Sequence, residues 1–152
     1  MKRHARVLAF AFAVLPAAQS LAEAISIDVR KTDGCGCCLS WMEHLEENGF
    51  APAGEDMAGG LLASFKRENG VPQHMVSCHT AVIEGYVIEG HVPASDIKQL
   101  LDERPDAVGL AVPGMPYGSP GMGPEEDREA YDVVLIGGDG LTEIFSSYPA
   151  SN

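Results

Sequence analysis

Three cysteines stand within four residues, Cys35-Gly36-Cys37-Cys38, where one hydrophobic periodicity gives way to another. Upstream, Ile25, Ile27 and Val29 alternate with polar residues, which predicts a half-buried strand over Ile25–Lys31. Thr32-Asp33-Gly34 breaks it. Downstream, Leu39, Met42 and Leu45 recur at a spacing of three and predict a helix over Cys38–Asn48, with Gly49 suited to the C-cap. The cluster therefore sits at a strand-to-helix junction. Gly34 and Gly36 leave the backbone free to bend there and aim several sulfurs at one point.

The rest of the chain extends this alternation. A short strand is expected near Phe50–Ala53, and a helix over Leu61–Glu68 that stops at Asn69-Gly70. Thr80–Ile83 and Tyr86–Glu89 flank Glu84-Gly85 and read as a hairpin. Pro93 opens a helix reaching about Glu103, with Ile97, Leu100 and Leu101 inward, and Pro105 ends it. Gly109–Pro124 is dense in Gly and Pro and is expected to be a loop. Tyr131–Ile136 and Leu141–Phe145 then form a closing hairpin across Gly137-Gly138-Asp139-Gly140. The implied class is α/β: one sheet with flanking helices, a Gly/Pro-rich loop and a C-terminal hairpin. The boundaries are a single domain over 25–147, with a core over 25–104 and an extension over 105–147.

The amino terminus reads as a secretory leader. Lys2, Arg3 and Arg6 precede an apolar run from Val7 to Leu15, and Ser20-Leu21-Ala22 offers a cleavage site, with Ala24 a second. The run is too short to span a bilayer, which needs about 20 apolar residues. Residues 1–22 are thus expected to be removed, and the mature chain to work in the periplasm without a membrane span. The whole chain has 10 Lys and Arg against 22 Asp and Glu, a formal charge of −12. That balance disfavours nucleic acid and anionic membranes as partners and favours cations.

In an exported chain, cysteines suggest disulfides. The four here, Cys35, Cys37, Cys38 and Cys78, allow three pairings. Cys35–Cys38 is a C-x-x-C pair that closes easily, whereas a Cys37–Cys38 bridge between neighbours is strained. Crowding three thiols into four residues gains little loop entropy, so a metal or redox site is the better reading. The positive end of a helix favours thiolate, which is both nucleophile and metal ligand. Soft thiolate and thioether ligands select Cu(I), and four sulfurs can bridge more than one ion. Four-cysteine zinc and an iron–sulfur cluster are weaker alternatives.

A strand followed by C-x-x-C at a helix start resembles the thioredoxin-like fold. In that fold the loop before the hairpin faces the motif, so Cys78 would join the other sulfurs and His91 would reach the same rim. The resemblance narrows to one family. Cys35-Gly-Cys-Cys38, Trp41, Gly70-Val-Pro72, Ser77-Cys-His-Thr-Ala81, Gly85-Tyr86, Glu89-Gly-His-Val-Pro-Ala94, Gly109-Leu-Ala-Val-Pro-Gly-Met-Pro116 and Gly118-Ser-Pro-Gly-Met122 occur together. This set is similar to the CopG-type periplasmic copper-resistance proteins, over about Ile25 to Phe145. The resemblance implies a thioredoxin-like fold, copper on the cysteines and a role in copper tolerance. It also implies copper redox chemistry, which would make the chain a copper oxidoreductase. Copper-efflux or electron-transfer proteins of the periplasm would be its partners.

Met115 and Met122 are thioether candidates, although Met also serves as loop packing. His91 is a candidate ligand that would suit Cu(II). His79, next to Cys78, is expected to face away, because neighbours in an extended segment point oppositely. His44 and His74 are expected to be exposed, and Trp41 to pack its helix onto the sheet. Two other functions compete: a thiol–disulfide oxidoreductase using Cys35 and Cys38, and a stapled binding module without chemistry.

Overall fold

The computed structural model describes residues 23–151. The leader expected over 1–22 lies outside the described residues. The chain runs β1 (Ile25–Lys31), α1 (Gly36–Glu47), β2 (Phe50–Asp56), α2 (Gly59–Glu68), β3 (Thr80–Ile83), β4 (Tyr86–Glu89), α3 (Ala94–Glu103), β5 (Ala107–Ala111), β6 (Tyr131–Gly137) and β7 (Thr142–Tyr148). All seven strands form one sheet in the order β2-β1-β3-β4-β5-β6-β7. β1 pairs parallel with β2 and antiparallel with β3, so the first strand lies inside the sheet. The expected α/β class, with helices on a sheet and a closing hairpin, holds.

The helices cover both faces. Trp41 and Leu45 of α1, with Ile97 and Leu100 of α3, pack on Ile27, Val29, Ile83 and Ile88. Val87 points to the opposite face, with Val71 and Met75. α2 lies on that second face: Arg30 of β1 stands over the Phe65 ring at 5.9 Å. Two-sided cover explains why β4 reads as a continuous apolar run rather than an alternation.

Two expectations are corrected. The inward face of α1 is Cys38, Trp41 and Leu45, whereas Leu39 is 49% exposed. The helix starts at Gly36, and this phase puts Cys38 in the core. The second correction is β5. Gly109, Leu110 and Ala111 belong to a strand between β4 and β6, not to a loop. Glycine is required there by close approach: a Cβ on Gly109 would lie 1.8 Å from the Val87 carbonyl oxygen. The register shifts between Ala107 and Gly109. The loop proper therefore begins after Ala111. It crosses the C-terminal end of β4 on its way to β6.

Candidate metal centre

Three pieces of chain meet at one end of the sheet. The first is the start of α1. Cys35 is its N-cap residue, in an extended conformation (φ −72°, ψ 90°), and its carbonyl accepts from the Leu39 N–H at 3.3 Å. Cys37 and Cys38 occupy the first turn. Gly34 has φ +71°, so the expected bend is made there, while Gly36 is simply the first helical residue.

The second piece is the segment ahead of β3, which carries Cys78. It is held from below by a buried polar network. Glu89 Oε1 accepts from the Ser77 N–H at 2.6 Å and from Lys66 Nζ at 2.6 Å. Lys66 also donates to Thr80 Oγ1 at 2.7 Å, and Thr80 donates to Glu89 Oε2 at 2.5 Å. Glu89 and Thr80 are fully buried and Lys66 is 4% exposed. Burial pushes the Glu89 carboxyl up, against the pull of the Lys66 ammonium and of its two other donors, Thr80 and the Ser77 N–H. A carboxylate can be kept in such a place only when paired and fully hydrogen-bonded.

The third piece is the end of β4 with the loop after β5. His91 is fully buried, and its Nδ1–H donates to the Pro120 carbonyl at 2.7 Å. The other nitrogen, Nε2, is then a bare acceptor. The loop reaches this position because Gly121 lies against α1. A Cβ there would be 2.6 Å from the Trp41 nitrogen and 2.8 Å from the Cys37 oxygen, and φ is +81°.

The four sulfurs converge within 4.8 Å of one another. Cys35 and Cys38 form a disulfide across the first turn of α1, and Cys37 and Cys78 are free. Cys37 Sγ lies 3.6 Å from Cys35 Sγ and 3.8 Å from Cys78 Sγ, and Cys38 Sγ lies 3.7 Å from Cys78 Sγ. Cys78 Sγ is also 3.1 Å from His91 Nε2 and 3.3 Å from His79 Nδ1. Burial, and then Cys37, push the Cys78 thiol up to about 12. Burial pulls both imidazoles down, His79 furthest, with His91 and Lys66 adding to the effect on His79. Both rings are therefore neutral near pH 7 and keep a lone pair for a metal.

His79 corrects an expectation. It was expected to face away from Cys78, but Cys78 sits in a bend before β3, where strand alternation does not apply. The ring turns inward and lies against Trp41 at 4.3 Å and edge-on to His91 at 5.0 Å. His79 Nε2 is buried without a hydrogen-bond partner. A buried polar atom without a partner is one that an ion or a water can satisfy. Trp41 packs its helix as expected, donating Nε1–H to the Val92 carbonyl at 2.9 Å, and also sets the His79 ring.

The second-rank residues separate. Met115 is 54% exposed, next to Gly114, whose carbonyl accepts from Ser77 Oγ. Met122 is half-buried beside Gly121 and closes the turn from Gly118. His44 is half-buried, not exposed: its Nε2 accepts the Ala94 N–H at 3.1 Å and caps α3. His74 is exposed as expected.

Comparison with known proteins places this geometry. The family model described as "Protein of unknown function, DUF411" matches residues 75–122, from the Cys78 segment to the loop over α1. A search of curated proteins finds no match. The solved structure "Copper resistance protein copG- Form 1" is similar, with a TM-score of 0.78 and 47% identity over 84% of this chain and 100% of that one. "Copper resistance protein copG- Form 2" gives 0.77 and 46% over the same shares. With that identity across the full length of both relatives, the chain belongs to the CopG copper-resistance protein family.

Proposed function

We propose that this is an exported copper-binding protein of the periplasm. In this reading it carries Cu(I) as cargo on Cys35, Cys37, Cys38 and Cys78 and serves copper tolerance. The observation that carries the reading is the convergence of four sulfurs from two distant segments within 4.8 Å. All-thiolate sets select Cu(I), and sulfurs this close can be shared between ions, so a multinuclear thiolate cluster is the expected form. The neutral rings of His91 and His79 stand at the same sulfur. Nitrogen ligands favour Cu(II), so the site is suited to cycling copper between its two states, as a copper oxidoreductase would. Met115 and Met122, on the loop that covers the site, are reserve thioether ligands. Periplasmic efflux or electron-transfer proteins would take copper or electrons from it.

The disulfide fixes the order of events. Cys35 and Cys38 must first take up two electrons and two protons before both sulfurs can serve a metal. The same bond favours a second reading, a thiol–disulfide oxidoreductase working through Cys35 and Cys38. Cys38 is fully buried, and Cys37 lies within 3.6 Å of Cys35, where it would divert any mixed disulfide. Chelator competition on the four Cys→Ser variants tests the first reading, each losing Cu(I) affinity by orders of magnitude. Intact affinity in Cys78→Ser, with catalysed reduction of an insulin-type disulfide, would establish the second.

A further inference from the structure

A cavity of about 350 Å³ opens on the surface beside Cys78. Leu62, Ala63, Lys66 and Arg67 of α2 form one wall, and Ser77 and Cys78 form the other. Cys78 is the only cysteine among its lining residues. Cys38 is fully buried, whereas Cys78 is half-buried and lines the cavity, which therefore opens a way from solvent to one residue of the site.

Its charge is unlike that of the rest of the protein. The chain has 22 acidic residues against 10 basic ones, yet no Asp or Glu lines this cavity. Three other cavities each carry carboxylates: Glu125 in one, Asp106, Asp139 and Glu143 in another, Asp132 in the third. Here Lys66 is neutralised from behind by Glu89. Arg67 remains as the rim cation. It is exposed, and among the described residues it donates only to the Ala63 carbonyl and Ser64 Oγ of its own helix. Among the described residues no carboxylate lies within 4 Å of its guanidinium. The volume is at the small end of ligand cavities, which begin at about 300 Å³, so a small molecule fits and a folded domain does not.

We propose that this cavity admits a small anionic thiol carrying Cu(I), and that Cys78 is the first residue of the protein to receive the metal. The inference rests on the copper reading above. The exchange is redox-neutral. The bond from Cu(I) to the carrier sulfur breaks as the bond to Cys78 Sγ forms, and the thiol proton of Cys78 leaves on the departing carrier thiolate. Arg67 draws the carrier's carboxylates to the rim, and the apolar wall of Leu62 and Ala63 receives its carbon skeleton.

The test is stopped-flow transfer of Cu(I) to the anaerobically reduced protein from two carriers. One is glutathione, which has two carboxylates; the other is 2-mercaptoethanol, which has none. Ala63 is exposed, so Ala63→Trp fills the cavity without entering the core. It should slow transfer from both carriers. Arg67→Glu should slow transfer from glutathione by about tenfold, as a steering charge does, and leave 2-mercaptoethanol unchanged. Copper per chain at equilibrium should equal wild type in both variants. Wild-type rates in Ala63→Trp, or equal effects of Arg67→Glu on both carriers, would overturn the proposal. Absence of equilibrium uptake by the wild-type protein from either carrier would overturn the copper reading itself, and this route with it.

Discussion

Cys78 Sγ lies 3.1 Å from Nε2 of His91, and the opposite nitrogen of that ring is fixed by the Pro120 carbonyl at 2.7 Å. The carbonyl holds the Nδ1–H tautomer, so the bare nitrogen faces the sulfur cluster. A loop residue 29 positions away thereby decides which atom of His91 the site sees.

The first prediction follows from that tautomer. In the proposed reading, His91→Phe removes a nitrogen that would stabilise Cu(II) and leaves all four sulfurs. Cu(I) affinity should fall by less than about tenfold, while the copper reduction potential rises, because Cu(II) loses more than Cu(I) does. A spectroelectrochemical titration of the copper-loaded variant reads the potential. An unchanged or lowered potential would refute the role given to His91.

Proton release provides the second. Cys78 stays protonated far above neutral pH, its thiol being pushed up to about 12 by burial and by Cys37. If Cys78 Sγ is a Cu(I) ligand, as proposed, the metal displaces that proton on binding. Calorimetric titration of the reduced protein in buffers of differing ionisation enthalpy should show protons released with the metal. Cys78→Ser should release about one fewer at pH 7. Equal release by both proteins would show that Cys78 Sγ is not a ligand.

Stability of the copper-free protein should depend on pH through the histidines. His79, His91 and His44 are all pulled down by burial, so the unfolded chain binds protons that the fold refuses. Their contribution is present above the unfolded value of about 6.5 and is lost as pH falls through that value toward the folded ones. The raised Glu89 carboxyl acts in the opposite sense in the acid range. Thermal unfolding between pH 7.5 and 5.5 should show a falling midpoint. The fall should be shallower in His79→Gln, and an identical slope in that variant would exclude His79 as a source.

The Lys66–Glu89 pair is predicted to separate stability from copper affinity. Glu89→Ala strands a buried ammonium and should cost about 3–5 kcal/mol. Replacing both members, Lys66→Met with Glu89→Leu, removes the stranded charge and should recover much of that loss. Copper affinity should not recover, because the Ser77 N–H that sets the Cys78 segment still lacks its acceptor. Denaturant unfolding and chelator competition, run on the same three proteins, read the two quantities. Wild-type copper affinity in the double variant would show that the network is structural only.

Gly121→Ala tests the loop. The added Cβ meets backbone atoms of Cys37 and Trp41 and requires a left-handed conformation, at a cost of about 1–3 kcal/mol. The spectrum of the copper-loaded variant should change as Pro120 withdraws from His91. A wild-type spectrum would mean that the loop does not set the ring.

Much of this site is written in local sequence. Three cysteines between an alternating strand and a helical run leave little choice of place, and Cys78 and His91 flank a hairpin whose turn, Glu84-Gly85, is easily read. β5 escaped because its glycine, which periodicity treats as a breaker, is there for close approach to Val87. His79 departs from strand alternation because one bend at Cys78 cancels it. The Lys66–Glu89 pair joins residues 23 apart on a helix and a strand, and no local pattern announces a buried ion pair. Leu39 carried the apparent helix period while Cys38, a small hydrophobe in practice, holds the buried position.

The central claim is that the reduced sulfur cluster holds Cu(I). Anaerobic titration of the reduced mature protein with Cu(I), against a competing chelator, tests it most directly by reading copper per chain and affinity together. The account predicts tight uptake of at least one equivalent, and of more than one if the sulfurs are shared in a cluster. No uptake in competition with the chelator would contradict it and leave the Cys35–Cys38 disulfide as the working chemistry of the site.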